Sequence, residues 1–171
     1  GLSPLPRRPP SFESALTQNI AAGCTEVLNP AAAKLVAAQP IPALSMHDWW
    51  AYILVAGCGG VVLFDPEPVI LYRQHGDNAI GATNSIMRRA LRALRRGPTP
   101  FLRTLNDHLR ALGQAPLTSH ARNIATGLAA LRTAGPLRRL ALLRQSGLRR
   151  QGAAEGVLLR LWFLLRKLPE K

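Results

Sequence analysis

Two patterns of apolar and polar positions divide the chain. In the first part, short apolar runs are separated by glycine and proline. From residue 86 onward, apolar residues recur at helical spacing with arginines between them. The first pattern is typical of short mixed elements and the second of amphipathic helices. We therefore predict an α/β protein that is mostly helical, with a globular part over 1–85 and a helical extension over 86–171.

The longest apolar run of the first part, 51–64, contains no charged residue. It predicts a buried helix over 47–58, ended by a glycine-rich segment. A helix is also predicted at 31–38, directly after Asn29-Pro30. Short strands are predicted at 20–28, 61–64 and 69–74. Helices of the second part are predicted at 86–96, 99–112, 118–133, 137–145 and 157–168.

Charge is distributed unevenly along the 171 residues, whose net charge is +13. Residues 1–85 contain four Lys/Arg and six Asp/Glu, whereas residues 86–171 contain eighteen and three. A basic appendage of this kind indicates an anionic partner. Rows of leucine beside rows of arginine favour a membrane surface, with a merely solvated helical face as the alternative. No nucleic-acid module is present, and we predict no nucleic-acid binding.

The last predicted helix is the part expected to touch the membrane. No apolar run reaches the roughly 20 residues that a spanning helix requires, so the expected contact is peripheral. The side chains expected to insert are Leu158, Leu161, Trp162 and Leu165. Those expected to reach lipid head groups are Arg160, Arg166 and Lys167. Cys24 and Cys58 are too few for a disulfide framework, and their apolar neighbours predict buried free thiols.

Candidate chemistry lies at the start of the buried helix, in His47-Asp48-Trp49-Trp50. Asp48 is either a helix-capping residue or a general base whose pKa is adjusted by partial burial. The two adjacent indoles offer the flat apolar surface on which sugar rings and bases lie.

A second polar group follows the strand predicted at 69–74. Arg73 is suited to bidentate binding of phosphate. His75 is suited to a divalent metal or to a phosphate oxygen. Solvated polar residues at the end of a strand are the alternative explanation.

The segments 18–29, 47–50 and 65–78, followed by Gly81, resemble the second half of a family 2 glycosyltransferase. The nearest resemblance is to the bacterial rhamnosyltransferase-like branch, which builds cell-surface polysaccharide. The most specific part is the pair His-Asp-Trp-Trp and Tyr-Arg-Gln-His-Gly-x-Asn, in this order. The basic segment 148–152 and the apolar segment 157–165 are similar to the end of those enzymes.

The resemblance implies a GT-A fold, a nucleotide-sugar donor, a divalent metal (Mg²⁺ or Mn²⁺) and inversion at the anomeric carbon. It implies that Asp48 is the base that activates the acceptor and that His75 helps to hold the metal and diphosphate. Donor-side residues are Arg73 and Gln74. Acceptor-side residues are Gly23, Cys24, Thr25, His47, Trp49 and Trp50.

The donor-binding half of the family, with its Asp-x-Asp metal motif, has no counterpart in this sequence. We therefore expect a partial chain or one half of a split enzyme, inactive alone, with the metal bound only when the other half is present. The acceptor implied is a polysaccharide or a lipid-linked sugar, reached from the cytoplasmic face of the plasma membrane. A non-catalytic basic helical protein that binds a membrane or a partner protein is the alternative.

Overall fold

The computed structural model describes residues 5–68, 70, 97–166 and 168. In these residues the protein is mostly helical, which confirms the helical part of the predicted fold class. Its helices are α1 (Phe12–Ala15), α2 (Pro30–Ala37), α3 (His47–Gly57), α4 (Thr99–Leu112), α5 (Ser119–Ala129), α6 (Pro136–Gln145) and α7 (Ala153–Leu165). A 3₁₀ turn, Ala130–Arg132, extends α5. The helix predicted at 86–96 lies outside the described residues.

Local sequence explains where several of these helices begin. The side chain of Asn29 accepts a hydrogen bond from the Ala32 N–H at 2.8 Å, and Pro30 occupies the first helical position of α2. The hydroxyl of Thr118 caps α5 in the same way. Such side-chain acceptors satisfy N–H groups that the first turn leaves unpaired. The last helix begins earlier than predicted, at Ala153 rather than at 157, and ends at Leu165.

Two of the predicted strands are wrong, because neither 20–28 nor 61–64 forms a strand. In the first, a turn closes through the Thr25 N–H and the Ala22 carbonyl, and the Gly23 N–H binds a side chain instead of a neighbouring strand. In the second, Val61 and Leu63 are more than 80% exposed. Apolar and β-branched residues form a strand only where a second strand is available to pair with them. The strand predicted at 69–74 lies outside the described residues, apart from Ile70, which is not in a strand.

One core cluster unites helices from both parts of the chain, and α3 is one of them. Trp50, Ile53 and Leu54 of α3 are fully buried. They share a cluster with side chains of α1, α4, α5, α6 and α7. A helix that is hydrophobic on nearly every side must be covered on every side. The boundary predicted between 85 and 86 lies outside the described residues, and the helices on its two sides pack against each other.

Polar contacts hold the first described segment against the last loop. The backbone N–H groups of Arg7 and Arg8 donate to Oε1 of Gln151 at 2.7 and 2.9 Å. The Gln151 N–H in turn donates to Oε1 of Gln18. These bonds fix the start of the described chain beside the loop that joins α6 to α7.

A histidine lies in the core between the two indoles of α3. His108 is fully buried, stacked on Trp50 with ring centroids 6.0 Å apart, and edge-on to Trp49 at 5.0 Å. Its Nε2 lies 2.8 Å from the Ser45 hydroxyl, and its Nδ1 has no hydrogen-bond partner in the part of the chain that the structure describes. Burial lowers the pKa of His108 to about 4, although the negative charge of Asp107 acts in the opposite direction and raises it. The imidazole is therefore neutral at pH 7.

This buried imidazole predicts a loss of stability in mild acid. The unfolded chain binds a proton near the usual histidine pKa of 6.5, whereas the folded chain does not until the pH is much lower. Stability is therefore complete above that pKa and is lost as the pH falls toward the folded-state value. We expect this group to reduce the free energy of unfolding in urea by about 2 kcal/mol between about pH 7.5 and about pH 5.

The control is His108→Gln, which offers Ser45 a donor and an acceptor but does not titrate. Between these two pH values, the free energy of unfolding of the variant should fall by about 2 kcal/mol less than that of the unmodified protein. Equal pH dependence in the two proteins would contradict the neutral, buried state of His108.

Candidate functional site

Asp48 lies in the first turn of α3 and faces the loop that precedes α2. It is 5% exposed. Its Oδ2 accepts the Gly23 N–H at 3.1 Å, and its Oδ1 accepts the Trp49 N–H at 2.6 Å. Both carboxylate oxygens are therefore engaged by backbone groups, and the direction of the carboxylate is fixed.

The turn at 22–25 lies directly against the start of α3. A Cβ atom added at Gly23 would overlap Nε2 of His47 and lie 3.5 Å from Cβ of Asp48. Glycine is the residue that permits such an approach of backbone to side chain. The structure thus brings together Gly23 and His47, which the resemblance assigns to the acceptor side, and Asp48, which it assigns as the base. Cys24 and Thr25 follow in the same turn, and both are exposed.

Glu26 is a member of this group that the sequence reasoning did not single out. It is half-buried, and burial raises the pKa of its carboxyl; the negative charge of Asp48 raises it further, while His47 opposes the shift. Two carboxyl groups and an imidazole thus interact electrostatically at the start of α3. The available signal was the position of Glu26 directly after the Gly23–Thr25 segment, within the first stretch that carries the glycosyltransferase resemblance.

The two indoles do not line this group as expected. Trp50 is fully buried, and its Nε1 has no hydrogen-bond partner among the described residues. Trp49 is half-buried, and its Nε1 donates to the Ala15 carbonyl at 2.7 Å. Both rings pack against His108, so Trp50 has no surface open to a ligand and Trp49 has only a part of one.

The donor-side residues and the metal ligand lie outside the described residues, namely Arg73, Gln74 and His75. Their distance from Asp48 therefore stays a prediction. Within 5–68 and 97–166, no group of three His, Cys, Asp or Glu side chains is placed to hold a metal ion.

The cysteines differ from the sequence expectation. Both are free thiols, but Cys24 is exposed and the expectation that it is buried is wrong. The reason is its place in the turn at 22–25, which lies on the surface beside His47. Cys58 is half-buried, and burial raises the pKa of its thiol.

A cleft of about 280 Å³ lies between Leu44 and one face of α4. Arg103, Asn106, Asp107 and Arg110 line it. Oδ2 of Asp107 accepts the Leu44 N–H at 2.9 Å, a bond that fastens the loop before α3 to α4. Neither Asp48 nor Glu26 lines this cleft, so it is separate from the carboxylate group.

Comparisons of the chain with models of protein families, with curated proteins and with solved structures found no match. The glycosyltransferase resemblance therefore rests on the sequence segments that carry it.

The electrostatic coupling in this group predicts how the pKa of Glu26 responds to its neighbours. Asp48→Asn removes a negative charge and should lower the pKa of Glu26. His47→Gln removes a positive charge and should raise it. Both shifts are measurable by following the side-chain carboxyl carbons by NMR as the pH is changed.

Glu13 is the internal control for this titration. Burial raises the pKa of Glu13, but hydrogen bonds, chiefly from His120, outweigh burial and the net shift is downward. Neither variant touches this pair, so Glu13 should titrate unchanged. An unchanged Glu26 in both variants would show that the three side chains do not form a group in solution.

Proposed function

We propose that this chain is the acceptor-side half of an inverting glycosyltransferase with a GT-A fold. The reaction transfers a sugar, rhamnose-like in type, from a nucleotide-sugar to a polysaccharide or lipid-linked acceptor. The sequence segments before α2, at the start of α3 and over 65–78 suggest this reaction, and the contact between the first two of them supports it.

The observation that carries the proposal is the hydrogen bond between the Gly23 N–H and the Asp48 carboxylate. It joins the two motif segments that the resemblance assigns to the acceptor side, across 25 positions of sequence. Inverting transfer requires a carboxylate that takes the proton of the acceptor hydroxyl while the nucleoside diphosphate leaves from the opposite face. Asp48 is assigned this role, with the exposed His47 and the 23–25 turn beside it as acceptor contacts.

Glu26 supplies a second carboxyl group beside the base, and both its burial and the negative charge of Asp48 raise its pKa. In this proposal, Asp48 receives the proton of the acceptor hydroxyl.

Donor binding is assigned to a nucleotide-binding half in the same gene product or in a partner chain, since the 171 residues contain no Asp-x-Asp motif. Arg73, Gln74 and His75 are assigned to the edge that meets this half. A divalent cation, Mg²⁺ or Mn²⁺, stabilises the negative charge that develops on the leaving diphosphate. The resemblance assigns His75 of this chain to the cation, together with the Asp-x-Asp motif of the other half.

The location proposed is the cytoplasmic face of the plasma membrane, where a lipid-linked acceptor is presented. No helix in the described part of the chain is both long enough and apolar enough to cross a bilayer.

The second candidate function is binding without catalysis, by a basic helical protein on a membrane or a partner. The exposed arginines of α6 and α7 favour this candidate, and loss of Asp48 would leave such binding unchanged.

The test is transfer of labelled sugar by the complete protein, with its donor-binding half and Mg²⁺ or Mn²⁺. Asp48→Asn should reduce kcat by about a hundredfold or more, because general-base assistance typically contributes 10²–10⁴-fold. The secondary structure should persist, since an asparagine side chain still accepts one of the two backbone N–H groups.

Asp107→Asn is the matched control. Like Asp48, Asp107 is an aspartate on a helix that accepts a backbone N–H from a preceding loop. It should leave transfer unchanged. Equal activity of Asp48→Asn and the unmodified protein would refute the assignment of Asp48, and absence of sugar transfer by the complete protein with any nucleotide-sugar would refute the proposed function.

A further inference from the structure

The outer face of α7 is apolar although it is exposed. Leu159 and Phe163 turn inward and are buried in the core. On the opposite side, Val157, Leu161 and Leu165 are 59%, 47% and 77% exposed. Residues four apart lie on one face of a helix, so these three form a continuous row that we call the outer row.

The outer row differs from the set of inserting side chains predicted from sequence. Trp162 is half-buried, and its ring lies against Phe101 of α4 with ring centroids 6.5 Å apart. Leu158 is also half-buried. Trp162 therefore helps to hold α7 on the core. Of the four predicted side chains, Leu161 and Leu165 belong to the outer row, which Val157 completes.

Arginines accompany the outer row. Arg160 of α7 and Arg166, the residue directly after α7, are exposed, as are Arg138 and Arg144 of α6, the helix that packs against α7. Residues 133–166 contain seven arginines and one acidic residue, and that residue, Glu155, is paired with Arg150 at 3.2 Å. The uncompensated charge of this region is thus strongly positive.

We propose that α7 binds the surface of an anionic bilayer, with the outer row entering the boundary between head groups and acyl chains. Apolar side chains beside exposed arginines are the two features that an interfacial helix requires. Arginine side chains reach toward lipid phosphates while their apolar stems stay with the row. A 13-residue helix is about 20 Å long and suits a position in the plane of the surface.

The positive charge and the size of the outer row favour an anionic bilayer over a second copy of the chain or nucleic acid. A second copy of the chain carries the same positive charge, which repels it, and one row of three side chains is far smaller than the roughly 800 Å² per partner of a stable interface. Nucleic acid attracts arginine, but its phosphate backbone makes no favourable contact with the apolar side chains of the outer row. Of these three occupants, the anionic membrane matches both features.

The test is sedimentation of the full chain with vesicles of phosphatidylcholine, with and without about 30% phosphatidylglycerol. Binding should require the anionic lipid and weaken with added salt. The double variant Leu161→Gln/Leu165→Gln should bind at least tenfold more weakly, because each leucine loses most of its transfer free energy. Arg160→Gln/Arg166→Gln should weaken binding by about fivefold per arginine.

Matched controls come from exposed residues elsewhere in the chain. Val27 and Leu63 are 92% and 88% exposed, so Val27→Gln/Leu63→Gln removes two apolar groups outside α7 that are more exposed than Leu161 and Leu165. Lys34→Gln/Arg103→Gln removes two exposed cations that lie outside α6, α7 and the loop between them. Both controls should bind vesicles as the unmodified chain does, and circular dichroism should show equal helix content in every variant.

Four outcomes would overturn the proposal. They are absence of vesicle binding, equal binding by the Leu161/Leu165 variant, loss of self-association rather than of vesicle binding in that variant, and tighter binding to duplex DNA than to vesicles. Asp48→Asn should bind vesicles normally, so failure of the proposed sugar transfer and failure of this inference are distinguishable.

Discussion

The burial of α3 is the constraint on which the rest of the described structure depends. This helix is apolar on nearly every side, and no single neighbouring helix is able to cover it. α1 and α2 pack on it from the preceding sequence, and residues of α4 and α5 complete its cover in the core cluster. A helix enclosed in this way has little freedom to shift or rotate. The first turn, which carries Asp48, is therefore held by the packing of the whole helix.

Polar groups at the start of α3 have hydrogen-bond partners, whereas some of those deeper in the core do not. At the start of α3, the Asp48 carboxylate is satisfied by two backbone N–H groups. Deeper in the core, Nε1 of Trp50 and Nδ1 of His108 have no partners among the described residues. An unpaired buried polar group costs about 1–3 kcal/mol. The unpaired groups of Trp50 and His108 therefore make the fold less stable than an all-apolar packing would be. Because His108 is a buried histidine, this packing also makes the free energy of unfolding depend on pH.

The helices were largely predictable, and the contacts at the candidate site were only partly so. Glycine, proline and capping residues carry local information, which is why the limits of α2, α3, α4 and α6 agree with the sequence pattern to within about two residues. Strands depend on distant pairing, so the β-like composition of 20–28 and 61–64 was misleading. The role of Trp50 was missed for a related reason, since nothing near it in sequence indicates that His108 stacks against it. Glu26 was missed because its coupling to Asp48 arises only when the 22–25 turn reaches α3.

Core packing and surface charge are combined in the same helices after residue 97. α6 and α7 each contribute one buried face to the core, through Leu143, Leu159 and Phe163, and present arginine on the outside. The basic helices α6 and α7 are thus part of the folded unit. Because α7 is fixed on the core by Phe163 and by the contact of Trp162 with Phe101, any surface that binds its outer row also fixes the orientation of α3 relative to that surface. In the proposed sugar transfer, a lipid-linked acceptor held in that surface would approach the Asp48 group from a restricted set of directions, which would reduce the orientational entropy that the transfer step must otherwise overcome.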